Sequence, residues 1–404
     1  MNYKKKDFLI DGFKVETLAR KYSTPLYCYS YKKLNNNIKI FKKSFKSVNP
    51  LICFAVKSNT NKFLINEIGK LGLGADVVSI GELVRALKSG IKPKKIVFSG
   101  VGKTSNEIRY ALKRNILLIN AESKSEILEI EKVSKNLKKI ASIGIRLNPN
   151  TDAKTLSQIS TGKKENKFGV SEKNFLDLLQ YVKNSKYLRL KCLSVHIGSQ
   201  ITINKPYEKM LKVLERVIKK TNFKFEYIDL GGGIGINYEK SQSKINLKNY
   251  SLKVKRFQKK YGSKIIFEPG RFIIGNSGIL ITKIIYIKEG YKKNFIILDA
   301  AMNDLMRPAL YNAYHRIIPG RINNGKSKKI YEFVGPICES TDKFSTIKNF
   351  QKLYEKDLLI ICDVGAYGMS LSSNYNLRTK PAELLIKNSQ IKVINKRQKL
   401  KDLI

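Results

Sequence analysis

The segment LICFAVKSNTNKFLINEIGKLGLGADVVS, residues 51–79, holds two short apolar runs on either side of a longer amphipathic stretch. The runs LICFAV and GADVVS have the length and composition of buried parallel strands. The stretch between them, NKFLINEIGKLG, has its apolar residues at helical spacing. The segment therefore predicts a strand, a helix and a second, parallel strand.

The same alternation continues to residue 270. The apolar runs read, in order, LICFAV, GADVVS, KIVFSG, ILLINA, ASIGIRL, LKCLSVHI, FEYIDLGGG and KIIFEPG. Eight strands that alternate with helical patterns predict an α/β protein with a (β/α)8 TIM-like barrel. An open doubly wound sheet is the alternative, but no GxGxxG phrase follows the first strand.

The rhythm changes after residue 271. Strand-like runs follow one another with turns and few helices between them, namely ILITKIIYIKEG, NFIILDAAM, KIYEFVGPICES, DLLIICDVG and AELLIKNSQIKVIN. They predict a C-terminal antiparallel β domain, and the first 30 residues, which include PLYCYS, also resemble strands. We therefore predict a barrel over residues 30–275, with residues 1–29 and 276–404 forming a β-rich domain that completes the active site.

Length and residue counts narrow the class of protein. A chain of 404 residues exceeds what one hydrophobic core usually serves, so two domains are expected. No run of about 18 apolar residues occurs, and the N-terminal apolar stretch is too short for a signal peptide, so we expect a cytoplasmic protein with no membrane partner. Five cysteines without a CxxC pair and only two histidines predict neither a disulfide framework nor a metal site.

The formal charge of +46 allows two interpretations. Such a charge is typical of proteins that bind nucleic acid or anionic lipid. It also results from composition alone, because lysines are scattered along the chain and no RNA-binding phrase or zinc finger accompanies them. We favour the second interpretation and predict no nucleic-acid partner, although a cationic surface would attract anionic substrates.

Candidate functional residues follow the predicted strands. Lys57 follows LICFAV, His196 lies near the end of LSVHI, Gly231 to Gly233 follow YIDL, and Glu268 follows KIIF. Active sites of such barrels lie at the carboxyl ends of the strands, so these residues are expected to converge. Burial would free the Lys57 amine for Schiff-base chemistry, whereas the alternative is one more lysine in a lysine-rich chain.

Other residue types in this set also suit a bound cofactor. Three adjacent glycines allow backbone N–H groups to approach a phosphate, although a structural turn would also use them. His196 could stack on an aromatic ring or simply pack in the core. Glu268 could hold a ring nitrogen protonated, or it could be a solvated loop acid.

The C-terminal half offers groups for a carboxylate and a proton. Arg271 and Arg307 are arginines in a chain that prefers lysine, and a guanidinium grips a carboxylate with two parallel hydrogen bonds. Cys338 is either a proton donor or an inert thiol. The hydroxyl of Tyr367 is either a phosphate ligand or part of a packed tyrosine.

Taken together, the phrases resemble those of the diaminopimelate decarboxylases, which are fold-type III pyridoxal-phosphate enzymes of the alanine racemase and ornithine decarboxylase superfamily. FAVKSN, HIGSQ and the elements from GGG to EPGR are shared with many decarboxylases of that superfamily. MNDLMRPALY, GPICES and AYGMSLSSNYN look specific to the diaminopimelate branch. The resemblance covers about Thr24 to Gln390, and one departure is Ser58, where the family often has alanine.

The resemblance implies that pyridoxal 5′-phosphate is the cofactor, with Lys57 as its Schiff-base residue. The other implied cofactor residues are Asp76 beside Lys57, His196 stacked on the ring and Glu268 at the ring nitrogen. Ser199, Gly233, the backbone around Gly270 and the hydroxyl of Tyr367 would hold the phosphate, and Arg271 is also counted among the cofactor-binding residues. The implied substrate residues are Arg271, Arg307, Tyr311, Glu339 and Tyr367. Cys338 would act as proton donor across the interface of a homodimer with shared active sites.

The implied reaction is decarboxylation of meso-2,6-diaminopimelate to L-lysine, the last step of lysine biosynthesis. Two arginines and an acid suit a distal group that carries both a carboxylate and an amine. The alternatives are a sister decarboxylase for another basic amino acid or carboxy-polyamine, a racemase, and a catalytically silent homologue that binds the cofactor.

Overall fold

The computed structural model describes residues 1–239 and 243–404, and these form two compact units. One unit, here called the barrel unit, comprises residues 38–237 and 243–272. The other, called the β unit, comprises residues 1–37, 238–239 and 273–404. The domain division at residues 30 and 275 remains a prediction.

The barrel unit contains a closed barrel of eight parallel strands, which confirms the predicted fold class. The strands are Leu51–Ala55, Gly74–Val77, Ile96–Phe98, Leu118–Ala121, Ala141–Arg146, Leu188–Ser194, Tyr227–Asp229 and Lys264–Phe267. Helices lie between them at Lys62–Lys70, Ile80–Lys88, Ser105–Lys113, Lys124–Asn136, Glu172–Asn184, Lys205–Thr221 and Leu247–Tyr261. Seven of the strands fall within one apolar run each, whereas Leu188–Ser194 begins two residues before the run LKCLSVHI. The last strand pairs with the first.

Side-chain hydrogen bonds cap the first turns of several helices that follow barrel strands. Ser79, Thr104 and Ser123 each accept a hydrogen bond from the backbone N–H of a glutamate three residues later. These caps satisfy N–H groups that the first turn of a helix leaves without partners. Only two residues separate the strands that end at Val77 and Ala121 from the helices that follow them. Because the barrel strands are parallel, their carboxyl ends lie at the same face of the barrel.

The β unit contains a nine-stranded sheet and a small three-stranded sheet. The larger sheet is built from Leu26–Ser30, Gly278–Lys288, Lys293–Leu298, Ile317–Pro319, Ile330–Val334, Lys343–Ile347, Leu358–Ile361, Ala382–Lys387 and Gln390–Asn395. The smaller consists of Asn2–Lys4, Asp7–Ile10 and Phe13–Lys14. Helices of this unit occur at Val15–Tyr22 and Arg307–Tyr311, and the division between the two units falls within the helices Tyr31–Ser44 and Arg271–Ile274.

The larger sheet is mainly antiparallel, as predicted, but two of its pairs are parallel. Lys293–Leu298 runs parallel to Ile330–Val334, and Leu26–Ser30 runs parallel to Ala382–Lys387. The PLYCYS segment therefore joins this sheet as an inner strand, which agrees with the strand-like reading. Val15–Tyr22 differs from that reading, because it is an amphipathic helix that buries Val15 and Leu18.

Each unit has its own apolar core. In the barrel, Cys53, Val97, Leu118, Cys192 and Ile266 pack together in the interior. In the β unit a second cluster joins the two sheets with the helix at Val15–Tyr22. Within the described ranges, no helix is both long enough and apolar enough to span a membrane.

Candidate active site

Lys57 lies in a single helical turn that directly follows the first barrel strand. Its Nζ is 3.0 Å from Oδ2 of Asp76, which is fully buried on the neighbouring strand. The side chain of Lys57 remains 38% exposed. Because the ion pair holds one end of a flexible side chain, the amine stays at the carboxyl end of the barrel while remaining reachable.

Glu268 follows the last barrel strand and is buried. Its carboxylate accepts a hydrogen bond of 3.4 Å from the hydroxyl of Ser99. Burial, reinforced by the negative charges of Asp229 and Asp76, raises the pKa of Glu268 well above its usual value. A cationic N–H group placed against this carboxyl would compensate its burial.

Asp229 ends the strand Tyr227–Asp229 and forms the centre of a buried polar network. Its carboxylate accepts hydrogen bonds from Asn120 Nδ2 at 3.1 Å and from the backbone N–H of Gly231 at 2.9 Å. Burial raises the pKa of Asp229 to about 6. The network therefore fixes the start of the glycine segment and adds a second carboxyl near Glu268.

His196 follows the strand Leu188–Ser194 and is partly buried. The backbone N–H of Gly232 donates to its Nδ1 at 3.0 Å, so Nδ1 carries no proton and the ring proton sits on Nε2. Burial and the nearby charges of Arg146 and Lys57 lower the pKa of His196 well below its usual value. The ring is therefore neutral and fixed, as stacking on a flat cofactor requires.

The glycine segment makes close backbone contacts that a side chain would block. A Cβ at Gly232 would lie 2.1 Å from the carbonyl oxygen of Glu268. At Gly233, where φ is +90°, a Cβ would lie 2.2 Å from the carbonyl oxygen of Gly198. Both positions require glycine, and the chain there forms a concave backbone surface of the kind that binds phosphate.

Further anion-binding groups belong to the same unit. Arg271 is buried, and its Nη2 donates to the hydroxyl of Ser199 at 3.3 Å. A Cβ at Gly270 would lie 3.0 Å from the side chain of Ser58, the residue after Lys57. The barrel residues thus offer an amine, a neutral flat ring, a buried carboxyl and an arginine–serine–glycine set, which fit pyridoxal 5′-phosphate.

In the β unit, Arg307 begins the helix Arg307–Tyr311, which also carries Tyr311 at its end. The Arg307 side chain is buried, and its Nη1 lies 2.6 Å from Nε2 of His315. The ring of Tyr238 lies 4.7 Å from the guanidinium carbon. The structure therefore holds this guanidinium in one orientation.

The GPICES loop carries Cys338 and Glu339, and the other two C-terminal phrases hold it. Buried Asp342 accepts hydrogen bonds from the N–H groups of Ile337 at 2.8 Å and Met302 at 2.7 Å. The Tyr375 hydroxyl donates to Glu339. MNDLMRPALY, GPICES and GAYGMSLSSNYN therefore meet within one unit.

The two remaining candidates in the β unit differ in exposure and backbone. Cys338 is exposed, whereas the other four cysteines are buried, and burial raises the pKa of each of their thiols. Tyr367 is partly exposed and has a φ of 59°, in the left-handed region. The roles assigned to both residues remain predictions.

The structure therefore groups the candidates into two sets. The barrel unit brings together Lys57, Asp76, His196, Ser199, Gly233, Glu268, Gly270 and Arg271. The β unit carries Arg307, Tyr311, Cys338, Glu339 and Tyr367.

Sequence reasoning missed four residues that support these sets. They are Asp229, Tyr238, His315 and Asp342. Asp229 had a usable signal, since it is an acid at the end of an apolar strand, and His315 is one of only two histidines. Tyr238 had no such signal, because its partners Arg307 and His315 lie far along the chain. Asp342 had none, because its contact with Met302 joins residues that are 40 positions apart.

Comparison with known proteins gives near-complete matches. The family described as "Pyridoxal-dependent decarboxylase, pyridoxal binding domain" matches residues 31–275. The diaminopimelate decarboxylase of Helicobacter pylori strain J99 is 44% identical over 395 residues, which cover 97% of this chain and 97% of that protein. The corresponding enzyme of Aquifex aeolicus is 39% identical over 402 residues, with 98% and 95% covered.

Solved structures agree with these matches. A crystal structure of diaminopimelate decarboxylase from Helicobacter pylori complexed with L-lysine superposes with a TM-score of 0.90 at 42% identity. The match covers 96% of this chain and 98% of that one.

Proposed function

This chain belongs to the diaminopimelate decarboxylases, within the pyridoxal-dependent decarboxylase family, and from that membership we propose how its residues carry out the reaction. The reaction removes CO2 from meso-2,6-diaminopimelate and leaves L-lysine, which is the last step of lysine biosynthesis. The observation that carries this assignment is the near-full-length similarity to diaminopimelate decarboxylases.

We propose that the barrel unit holds pyridoxal 5′-phosphate. Lys57 would bind it covalently, Asp76 would keep the lysine amine in place, and His196 would stack on the ring. Ser199, Gly233, Gly270 and Arg271 would hold the phosphate, with Tyr367 contributing its hydroxyl. When bound, the cofactor supplies an electron sink for the electrons left behind by CO2.

Glu268 has the task of keeping a proton on a ring nitrogen. Its burial beside Asp229 makes a bare negative charge costly there, so a protonated nitrogen would be a strongly preferred partner. The neutral His196 ring and the enclosed backbone of the glycine segment would keep water away from this pair.

The β-unit residues are assigned to the substrate. Arg307 would hold the carboxylate at the end of the substrate that does not react, with Tyr311 beside it and Glu339 on the distal ammonium. Because the product is L-lysine, the stereocentre that keeps its carboxylate is the L centre, and this is the group that Arg307 would grip. Cys338 would deliver the proton that replaces CO2.

We infer a homodimer in which Cys338 serves the partner's site, and a cytoplasmic enzyme. Five free cysteines, four of them buried, suit a reducing compartment.

The test is CO2 release by the purified protein loaded with pyridoxal 5′-phosphate. Meso-diaminopimelate would be compared with ornithine, lysine and arginine at equal concentrations. We expect turnover of meso-diaminopimelate alone, with one L-lysine formed per CO2. Turnover of another amino acid at a higher kcat/KM would contradict the substrate assignment, and no turnover of any of them would favour a silent homologue.

A further inference from the structure

His315 is buried between Arg307 and the backbone of the β unit, and its hydrogen bonds define its protonation. Nη1 of Arg307 lies 2.6 Å from Nε2 of His315, and Nδ1 of His315 lies 2.9 Å from the carbonyl oxygen of Cys362. A guanidinium only donates and a carbonyl oxygen only accepts. Nε2 is therefore the acceptor, the proton sits on Nδ1, and the imidazole is neutral.

Tyr238 constrains the same guanidinium from a second direction. Its ring centroid is 4.7 Å from the guanidinium carbon of Arg307 and 5.2 Å from the His315 ring, which stands at 77° to it. The ring is 7% exposed, and His315 is 1% exposed. His315 therefore contacts the Arg307 guanidinium through a hydrogen bond at one N–H, and Tyr238 contacts it through its ring, within cation–π distance.

A guanidinium has five N–H donors in one rigid plane, so fixing one of them orients the others. A long arginine side chain otherwise loses rotamer entropy whenever it binds a ligand. Holding the plane before the substrate arrives removes much of that loss, which is how preorganisation raises affinity. His315 can have this effect without touching the substrate.

We propose that His315 is a positioning residue for substrate specificity, because it holds the Arg307 guanidinium in the plane that accepts a substrate carboxylate. The inference rests on the proposed role of Arg307. A neutral histidine that is protonated on Nδ1 thereby helps the site to distinguish ligands that carry a distal carboxylate from ligands that lack it.

Two substitutions separate the two hydrogen bonds of the imidazole. The amide oxygen and nitrogen of asparagine lie as many bonds from Cα as Nδ1 of histidine does. The amide oxygen and nitrogen of glutamine lie as many bonds from Cα as Nε2 of histidine does. H315N therefore keeps a donor for the Cys362 carbonyl but offers Arg307 no acceptor. H315Q places an amide oxygen where Arg307 needs one, and both variants lose the aromatic ring.

The measurement is calorimetric binding of L-lysine and cadaverine to the cofactor-loaded protein. These ligands differ by a single carboxylate. In H315N we expect L-lysine affinity to fall about 10- to 100-fold, as for loss of a hydrogen bond to a charged group, while cadaverine affinity stays within about twofold. H315Q should recover most of the L-lysine affinity.

Turnover provides a second reading. KM for meso-diaminopimelate should rise in H315N by the same factor as the L-lysine dissociation constant, with a smaller change in kcat. Equal L-lysine affinity in H315N and H315Q, or a parallel loss of L-lysine and cadaverine, would overturn the positioning role.

The wild-type protein separates this inference from the proposed function. If it binds L-lysine no more tightly than cadaverine, the proposal that Arg307 binds the substrate carboxylate is wrong, and no variant is needed to show it. If wild type prefers L-lysine and the two variants behave alike, the role of Arg307 stands and that of His315 falls.

Discussion

Lys57 is the residue on which cofactor attachment depends. Lys57→Ala removes the amine that lies 3.0 Å from Asp76, so the absorbance of the covalently bound cofactor and CO2 release should both be lost. Lys57→Arg keeps a cation beside Asp76 but offers no amine for Schiff-base chemistry, so it should fold well and stay inactive. Full activity in either variant would contradict the assignment.

How far single residues can be predicted depends on where their partners lie. Lys57, His196 and Glu268 were predictable because each follows an apolar strand whose end faces the site. His315 was not, because its role arises from Arg307, eight residues earlier, and Cys362, 47 residues later. Only the folded β unit brings those three together.

At the scale of elements, the glycine segment after the strand Tyr227–Asp229 should tolerate no side chain. Gly233→Ala would force a methyl group toward the Gly198 carbonyl oxygen at a φ of +90°, so we expect a loss of at least about 2 kcal/mol in the free energy of unfolding. Weak cofactor binding should accompany it. Urea denaturation and cofactor titration measure the two effects.

Gly81→Ala is the matched control. A Cβ there would meet only the Ser79 hydroxyl at 3.8 Å, inside the helix Ile80–Lys88. Alanine should therefore be neutral or stabilise the protein by up to about 1 kcal/mol. Equal destabilisation of the two variants would contradict the specific role of the glycine segment.

The cap of the helix Ile80–Lys88 predicts a pH effect on stability. Glu82 accepts a hydrogen bond from the N–H of Val78 at 2.9 Å, and burial raises its pKa from 4.5 to about 7. Since the folded state binds this proton more tightly than the unfolded state does, the group contributes stability at low pH. That contribution is lost as the pH rises through about 7.

Glu82→Gln keeps an acceptor for Val78 but does not titrate. Between about pH 5 and pH 8, the wild-type protein should lose about 2 kcal/mol more of its free energy of unfolding than E82Q does. The measurement is urea denaturation of both proteins without added cofactor. Parallel pH curves would show that Glu82 has an ordinary pKa.

Strands and helices could be predicted from the sequence where the burial of side chains in the structure agrees with the spacing of apolar residues along the chain. Seven of the eight barrel strands lie within short apolar runs, because both of their faces are largely covered, whereas Leu188–Ser194 also carries an exposed Arg189. The strands Ile317–Pro319 and Lys343–Ile347 escaped prediction, since they are short and keep exposed or half-buried residues. Val15–Tyr22 was misread because its apolar face is narrow.

For the whole molecule, the charge of +46 should affect association with an anion more than with a neutral ligand. Pyridoxal 5′-phosphate is anionic, whereas meso-diaminopimelate carries two amines and two carboxylates and is nearly neutral at pH 7. Raising salt from about 20 to 500 mM should slow cofactor uptake by roughly threefold or more, with little change in the substrate KM. Equal salt dependence of both would indicate that the charge does not steer ligands.

The inferred homodimer with shared sites makes a prediction about mixtures. If Cys338 serves the partner's site, each site takes Lys57 from one subunit and Cys338 from the other. Lys57→Ala and Cys338→Ala proteins should each be nearly inactive. Random mixing makes half of the dimers mixed, and each mixed dimer has one site with both residues, so about a quarter of wild-type activity should return.

Subunit exchange needs dissociation, so the two proteins should be co-expressed with different tags and the mixed dimer purified. Its activity per dimer should approach half that of the wild type. A mixture of Lys57→Ala and Lys57→Arg is the control, because no combination of those subunits restores the lysine. No recovery in the purified mixed dimer would show that each site draws Lys57 and Cys338 from the same subunit. Activity in the control would show that the recovered activity does not come from sharing of these residues between subunits.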